Sequence, residues 1–165
     1  MTLADRISAA NRRKKWAMFL EAVKPDAELT ILDVGFNARE YSSVDNYLEK
    51  HYPWQHRITA LGIESPGEFG SLYPLVKAIK YDCNLFPFCD KSFDVCWSNA
   101  VIEHVGDAAA QESFLREIAR VSDFAFVTTP NRTFPIEVHT RVPLLHFLPK
   151  GIFDAFMRMI GKKWA

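Results

Sequence analysis

Apolar residues recur along the chain at two spacings, and the change from one spacing to the other predicts helices and strands in alternation. Residues 3–23 show the helical spacing, and Lys24 followed by Pro25 ends that helix. Ser42 and Asp45 form a capping-box pattern that predicts the start of a second helix at Ser42. Further helices are predicted over residues 69–76, 107–121 and 151–164. Short apolar runs predict strands over residues 29–34, 57–63, 78–81, 93–98 and 124–129.

This order of elements predicts an α/β fold. Strands that alternate with helices form a mostly parallel sheet with helices on both faces. We expect a single domain over residues 1–165. Its parts are an N-terminal helix in residues 1–25, an α/β core in residues 29–129 and a C-terminal cap and helix in residues 130–165.

Composition and charge exclude several classes of protein. Lys+Arg and Asp+Glu both total 20, so no excess of positive charge favours nucleic acid. The basic run of residues 12–15 is interpreted as the solvated face of a helix. The 3 cysteines form no CxxC pair, so neither a disulfide framework nor a metal site is expected. No apolar run approaches membrane-spanning length, and we expect a cytoplasmic protein without stable membrane insertion.

Acidic and small polar residues follow four of the predicted strands. In open α/β sheets, ligands bind beyond the carboxyl ends of the strands. An acid after the second strand can accept hydrogen bonds from ribose hydroxyls, and one after the third can accept from an adenine amino group. Acids also cap strand ends and helix N-termini in α/β proteins that bind nothing there. The residues at these ends are Asp33 and Gly35, Glu64, Asp82 and Cys83, and Ser98 and Asn99.

A more specific pattern lies between the fourth strand and the following helix. Residues 86–95 read FPFCDKSFDV, Ser98 follows, and residues 101–105 read VIEHV. This block resembles the class I methyltransferases that use S-adenosylmethionine, and among them the type 11 group. The resemblance extends over residues 29–149. It implies a Rossmann-like sheet of order 3-2-1-4-5, S-adenosylmethionine as cofactor, S-adenosylhomocysteine as product and a small-molecule methyl acceptor.

The resemblance also implies roles for individual residues. Asp33 and Gly35, with the loop residues Phe36 and Asn37, would approach the methionine portion of the cofactor. The ribose would be held by Glu64, the adenine framed by Asp82 and Cys83, and the region near the sulfonium lined by Ser98 and Asn99. His104 would close the mouth of the site. His104 and His139 are the candidate catalytic residues, although a general base is optional when the methyl group is already activated.

The chain departs from the family pattern in its glycine loop. Asn37 stands at the second glycine position and Arg39 at the third. Asn tolerates a positive φ, whereas a guanidinium does not fit between helix and strand. Arg39 or Glu40 would point at the cofactor or out to water. The alternative function is a methyltransferase-like binding or interaction module without turnover. A nicotinamide dehydrogenase ranks below both, because its pyrophosphate loop needs the three glycines.

The C-terminal part also departs from the family, whose sheet has two further strands. The chain is expected to lack them, which leaves the fifth strand at the sheet edge. The helix predicted over residues 151–164 carries an apolar stripe. It would dock on the core, form a dimer interface or lie on a membrane surface. A homodimer through the sheet edge or this helix is therefore one expectation, beside a small-molecule substrate and no nucleic-acid partner.

Overall fold

The computed structural model of the protein describes residues 3–129. Its helices and strands are α1 Leu3–Val23, β1 Ile31–Val34, α2 Tyr47–His51, β2 Ile58–Gly62, α3 Gly67–Leu72, β3 Lys77–Lys80, β4 Phe93–Asn99, α4 Ala108–Val121 and β5 Ser122–Thr128. The helix predicted over residues 151–164, the expected loss of two family strands and the cap over residues 130–165 lie outside the described residues. Within residues 3–129, no helix is both long and apolar enough to cross a membrane.

The strands form one sheet of order β3-β2-β1-β4-β5. Every neighbouring pair in this sheet runs parallel. The predicted fold and strand order are therefore confirmed. The strand β1 lies at the centre, where Asp33 is opposite Ala60 of β2 and Trp97 of β4. The carboxyl ends of these three strands consequently lie side by side at the same end of the sheet.

Two apolar cores pack on the two faces of the sheet. Successive residues of a strand point to opposite faces, so Ile31 and Leu32 belong to different cores. The first core joins Ile31 to Phe19 of α1, Leu48 of α2 and Phe69 of α3. The second core joins Leu32 and Cys96 to Phe114, Ile118 and Val121 of α4. The predicted arrangement of helices on both faces is confirmed.

Aromatic side chains fix α1 on the first face. The Phe19 ring lies edge-on to Trp97 with 5.0 Å between ring centroids, and Trp97 stacks on Phe126 at the same distance with 12° between planes. Trp16 contacts Trp97 edge-on at 6.1 Å. Such pairs stabilise by about 0.5–1.5 kcal/mol each beyond the area they bury. They set the position of α1 beside the end of β4.

Two helices differ from the expected bounds for local reasons. The helix α2 begins at Tyr47 rather than Ser42. Asp45 caps a turn instead, because its carboxylate accepts hydrogen bonds from the backbone N–H groups of Tyr41 and Ser42 at 2.8 Å. The helix α3 ends at Leu72 rather than residue 76, because the residue before Pro74 is disfavoured in helical conformation.

The turn after β1 requires a glycine. Gly35 has a φ of +103°, a region that side chains rarely occupy. A Cβ at this position would also collide with the side chain of Val101. The backbone N–H of Gly35 donates to the carbonyl of Leu61 at 2.8 Å, which ties the turn to β2. The loop therefore depends on this glycine even though the following family glycines are absent.

The substitution Gly35→Ala is expected to lower the free energy of unfolding by about 2 kcal/mol, because it combines a strained φ with a collision. Gly70→Ala is the matched control, since a Cβ there would have its nearest neighbour, Cβ of Pro66, at 3.9 Å. The control should be neutral or gain about 0.5–1 kcal/mol by reducing chain entropy. Urea unfolding followed by circular dichroism measures both. Equal effects of the two substitutions would contradict the assignment.

Candidate active site

Two adjoining cavities open at the carboxyl ends of the strands. The larger has a volume of about 810 Å³ and extends from β1 over the ends of β2 and β3 to α4. The smaller has a volume of about 110 Å³ and lies among β1, β4, α1 and α2. Both cavities are lined by Gly35, Phe36, Asn37 and Ala100. The glycine turn is thus the boundary between them.

The larger cavity brings together part of the predicted site. Among its lining residues are the predicted site residues Gly35, Phe36, Asn37, Glu64, Cys83 and His104. Glu64 is exposed. Its carboxylate makes no hydrogen bond or ion pair with another described residue and can accept from a ligand. The apolar wall is formed by Leu61, Phe86 and Phe114 with other side chains.

The smaller cavity holds charged groups of both signs. Asp33 and Glu49 line it together with Arg12 of α1. Asn99 lines it as well, and its Oδ1 accepts from Lys15 Nζ at 2.9 Å and from Thr128 Oγ1 at 2.6 Å. Asn99 therefore links α1 to the ends of β4 and β5.

Asp33 and Glu49 form a buried carboxyl pair. Their exposed fractions are 6% and 0%. Burial raises the pKa of Asp33 well above its usual value, the charge of Glu49 raises it further, and Arg12 opposes the shift. Burial likewise raises the pKa of Glu49. Both carboxyl groups line the same small cavity, and their raised pKa values favour a protonated form of the pair over two carboxylates.

Two of the predicted residues that the structure describes stand apart from the two cavities. Asp82 is exposed and accepts from Asn84 Nδ2 at 2.8 Å, and its hydrogen bonds with Asn84 lower its pKa. Ser98 is fully buried, and its hydroxyl has no hydrogen-bond partner among the described residues. Neither residue lines a cavity. His139 lies outside the described residues.

The departures from the family loop are accommodated by contacts within the protein. The backbone N–H of Asn37 donates to Asn46 Oδ1 at 2.9 Å, and Asn46 Nδ2 donates to the carbonyl of Asn37 at 3.1 Å. Arg39 forms an ion pair with Glu68 at 3.0 Å. Glu40 forms one with Lys50 at 2.8 Å. The side chain of Arg39 is thus exposed rather than wedged between helix and strand, and both charges have partners in the protein.

Left-handed backbone conformations occur at three strand ends. Gly35, Cys83 and Ala100 have positive φ and line the larger cavity. Cys83 and Ala100 adopt this conformation at φ of 65° and 60°. Such residues cost about 1–3 kcal/mol each and cluster at ligand sites, where the surrounding structure holds them. The backbone N–H of Ala100 is held by the carbonyl of Thr128 at 2.7 Å.

Three residues at or beside the smaller cavity are not among the predicted site residues. Arg12 and Glu49 line the cavity, and Lys15 donates to Asn99, which lines it. The interpretation of the basic run as solvated is wrong for Arg12 and Lys15, which are half-buried. The sequence did carry a signal for these two residues. Arg12, Lys15 and Phe19 stand at i, i+3 and i+7, so they lie on the same face of the helix as a core residue. Glu49 carried no such signal, because a glutamate within a short helix is usually exposed.

The comparisons with known proteins agree with this fold. Residues 47–123, just under half of the chain, match the family model described as a methyltransferase domain. No curated protein matches the chain in sequence. A SAM-dependent methyltransferase from Aquifex aeolicus has 17% identity and a TM-score of 0.57, over 89% of this chain and 78% of that one.

Two further solved structures share the fold. YcgJ from Bacillus subtilis has 16% identity and a TM-score of 0.56, over 90% of this chain and 58% of its own. PH0226 from Pyrococcus horikoshii OT3 has 17% identity and a TM-score of 0.56, over 73% and 58%. The chain thus spans less than two thirds of the length of these two proteins.

The methyltransferase-domain match over residues 47–123 and the fold shared with solved SAM-dependent methyltransferases make the chain similar to the class I methyltransferases, which use S-adenosylmethionine as methyl donor. S-adenosylmethionine is accordingly the cofactor that the family and the fold support. Among the described residues, no cluster of His, Cys, Asp and Glu is suited to a metal ion.

The substitution Glu49→Gln is expected to stabilise the fold, by on the order of 1 kcal/mol at pH 8 and less at pH 5. The folded-state pKa values of Asp33 and Glu49 lie above their unfolded values. Between those values the folded state binds more protons, so stability falls as pH rises through this window. Gln has no carboxyl to ionise.

Urea unfolding at both pH values measures the change. The control is Glu28→Gln, at an exposed position whose side chain pairs with Arg57. A stability gain that does not grow with pH would contradict the buried carboxyl pair.

Proposed function

We propose that the protein transfers the methyl group of S-adenosylmethionine to a small-molecule acceptor. The observation that carries the proposal is the pair of adjoining cavities, one large with an apolar wall and one small and charged. S-adenosylmethionine consists of a nucleoside and an amino acid joined through sulfur. Its largely apolar adenosine end and its charged amino-acid end would each need a cavity of matching character. The glycine turn at residues 35–37 would lie beside the join.

The larger cavity suits the adenosine portion. Glu64 has an open carboxylate that can accept from both ribose hydroxyls, and charge-assisted hydrogen bonds of this kind are strong. Cys83 and Asn84, at the end of β3, line the part of the cavity assigned to adenine. Asp82 makes its contacts with Asn84 and would act on adenine through that residue.

The smaller cavity suits the methionine end, which carries a carboxylate and an ammonium group. The guanidinium of Arg12 makes no hydrogen bond with a described residue and can donate to the carboxylate. Asp33 can accept from the ammonium. The charged groups that line the smaller cavity are thus complementary to the charges at the methionine end of the ligand.

The protein mainly needs to align the acceptor with the methyl group and exclude water, because S-adenosylmethionine supplies an already activated methyl group. Asn99 and Ala100 lie at the end of β4, beside the join of the two cavities. His104 is exposed and lines the larger cavity, whose mouth it would close. His104 and His139 remain the candidate proton acceptors for acceptors that need one.

Binding of S-adenosylhomocysteine, measured by isothermal titration calorimetry, tests the proposal. Glu64→Gln is expected to weaken binding at least about tenfold, because it removes charge-assisted hydrogen bonds to the ribose. Glu28→Gln is the matched control, because Glu28 is exposed and pairs with Arg57 away from both cavities, and it should bind like the wild type. No binding to the wild type at millimolar ligand would overturn the proposal.

A binding module without turnover is the second candidate. The replacement of family glycines by Asn37 and Arg39 favours it. Transfer of a labelled methyl group to a panel of oxygen, nitrogen and carbon nucleophiles separates the two candidates. Transfer by the wild type that is lost in Glu64→Ala would exclude the inactive module.

A homodimer through the sheet edge remains a further proposal. Among the described residues β5 pairs on one side only, with β4, and Phe124 is 44% exposed. An edge strand of this kind can pair with a second copy. Light scattering at several concentrations of the full chain should show a dimer that Phe124→Lys weakens. A monomer at every concentration would contradict it.

A further inference from the structure

Glu49 is a buried acid with no role in the mechanism above. Both of its carboxylate oxygens are buried and lack a hydrogen-bond donor among the described residues. The side chain lines the smaller cavity beside Asp33. A buried carboxylate without donors is costly, so a carboxyl group here is retained with a proton or with a ligand that donates.

The basic side chains near Asp33 and Glu49 do not supply a hydrogen-bond donor to the Glu49 carboxylate. Arg12 of α1 acts on Asp33 through its charge alone, without a hydrogen bond. Lys50 lies near Glu49 but donates to the carbonyl of Asp45 and pairs with Glu40.

The other titratable groups near the pair do not neutralise it. Asp45, Tyr47 and Glu103 act on Arg12, and Glu40 acts on Glu49, so the carboxyls among them add negative charge. Cys96 lies on the opposite face of the sheet, and burial raises the pKa of its thiol. A proton held by the pair would therefore balance Asp33 and Glu49 when no ligand is bound.

We propose that Glu49 and Asp33 form a proton-sharing site for the ammonium group at the methionine end, and that binding expels the shared proton. This inference rests on the proposed function. The ammonium brings the positive charge and the N–H donors that the proton had supplied. The O–H bond of the pair breaks, the proton passes to solvent, and both carboxylates accept from the ligand. Cofactor binding is then coupled to the release of one proton.

Calorimetric titration in buffers of different ionisation enthalpy measures this release. S-adenosylhomocysteine carries the ammonium and carboxylate groups. Methylthioadenosine is the matched control ligand, because it has the same adenosine and sulfur but no amino-acid end. We expect release of about one proton per S-adenosylhomocysteine bound at pH 7 and none for methylthioadenosine. The comparison uses the wild-type protein, so it does not depend on the folding of a variant.

The variant Glu49→Gln tests whether the released proton comes from the carboxyl pair. In Glu49→Gln, Asp33 has no carboxyl partner and accepts from the amide. Proton release by S-adenosylhomocysteine should fall to near zero, while the affinity for methylthioadenosine stays unchanged and reports an intact larger cavity. A purely structural role of Glu49 would change affinity for both ligands and leave the proton number as it was.

The outcomes separate this inference from the proposed function. Binding of S-adenosylhomocysteine with the same proton number as methylthioadenosine overturns the inference and leaves the function standing. Proton release that persists in Glu49→Gln overturns the assignment to the pair. No binding of either ligand overturns the proposed function and this inference with it. Release confined to S-adenosylhomocysteine and lost in the variant supports both.

Discussion

The central position of β1 is the constraint on which the rest of the structure depends. Four residues, Ile31–Val34, are buried and paired on both sides by parallel strands. Their side chains must alternate between two apolar cores, so Asp33 follows Ile31 onto the face covered by α1 and α2. A carboxyl group is thereby held in a buried place, where its environment must neutralise it. The small charged cavity follows from this requirement.

The helix α1 completes the cavity although it precedes the sheet in sequence. Its apolar side chains pack on Trp97 and Phe126, and the same packing brings the basic side chains one and two turns away to the carboxyl ends of the strands. Arg12 interacts with Asp33 through its charge, and Lys15 donates to Asn99. The aromatic contacts of α1 therefore hold these charges close to the buried acids.

The altered glycine loop shows how one fold tolerates changes at the candidate site. The glycine that meets a steric limit, Gly35, is retained. The two positions where glycine is replaced have gained contacts, Asn37 with Asn46 and Arg39 with Glu68. The ion pair holds the Arg39 side chain at the surface, whereas Asn37 is held through its backbone and lines both cavities. The loop therefore keeps its backbone path with fewer glycines than the family pattern has.

The sequence by itself determined the parallel sheet, its order and the set of strand ends that carry polar groups. Periodicity is a local property, and it predicted the whole of α1 and the existence of each strand within two residues at its ends. The predicted start of α2 and end of α3 were wrong, because the turn capped by the Asp45 carboxylate and the proline at 74 compete with helix in ways that spacing does not reveal.

Only the tertiary structure decided which polar residues share a cavity. Glu64 and Asp33 are both strand-end acids in sequence, yet one is exposed and the other buried against Glu49. The difference arises from what packs over each strand end, and those elements lie far away along the chain. The raised pKa values of Asp33 and Glu49 depend on burial and distance in space, so no local pattern could have predicted them.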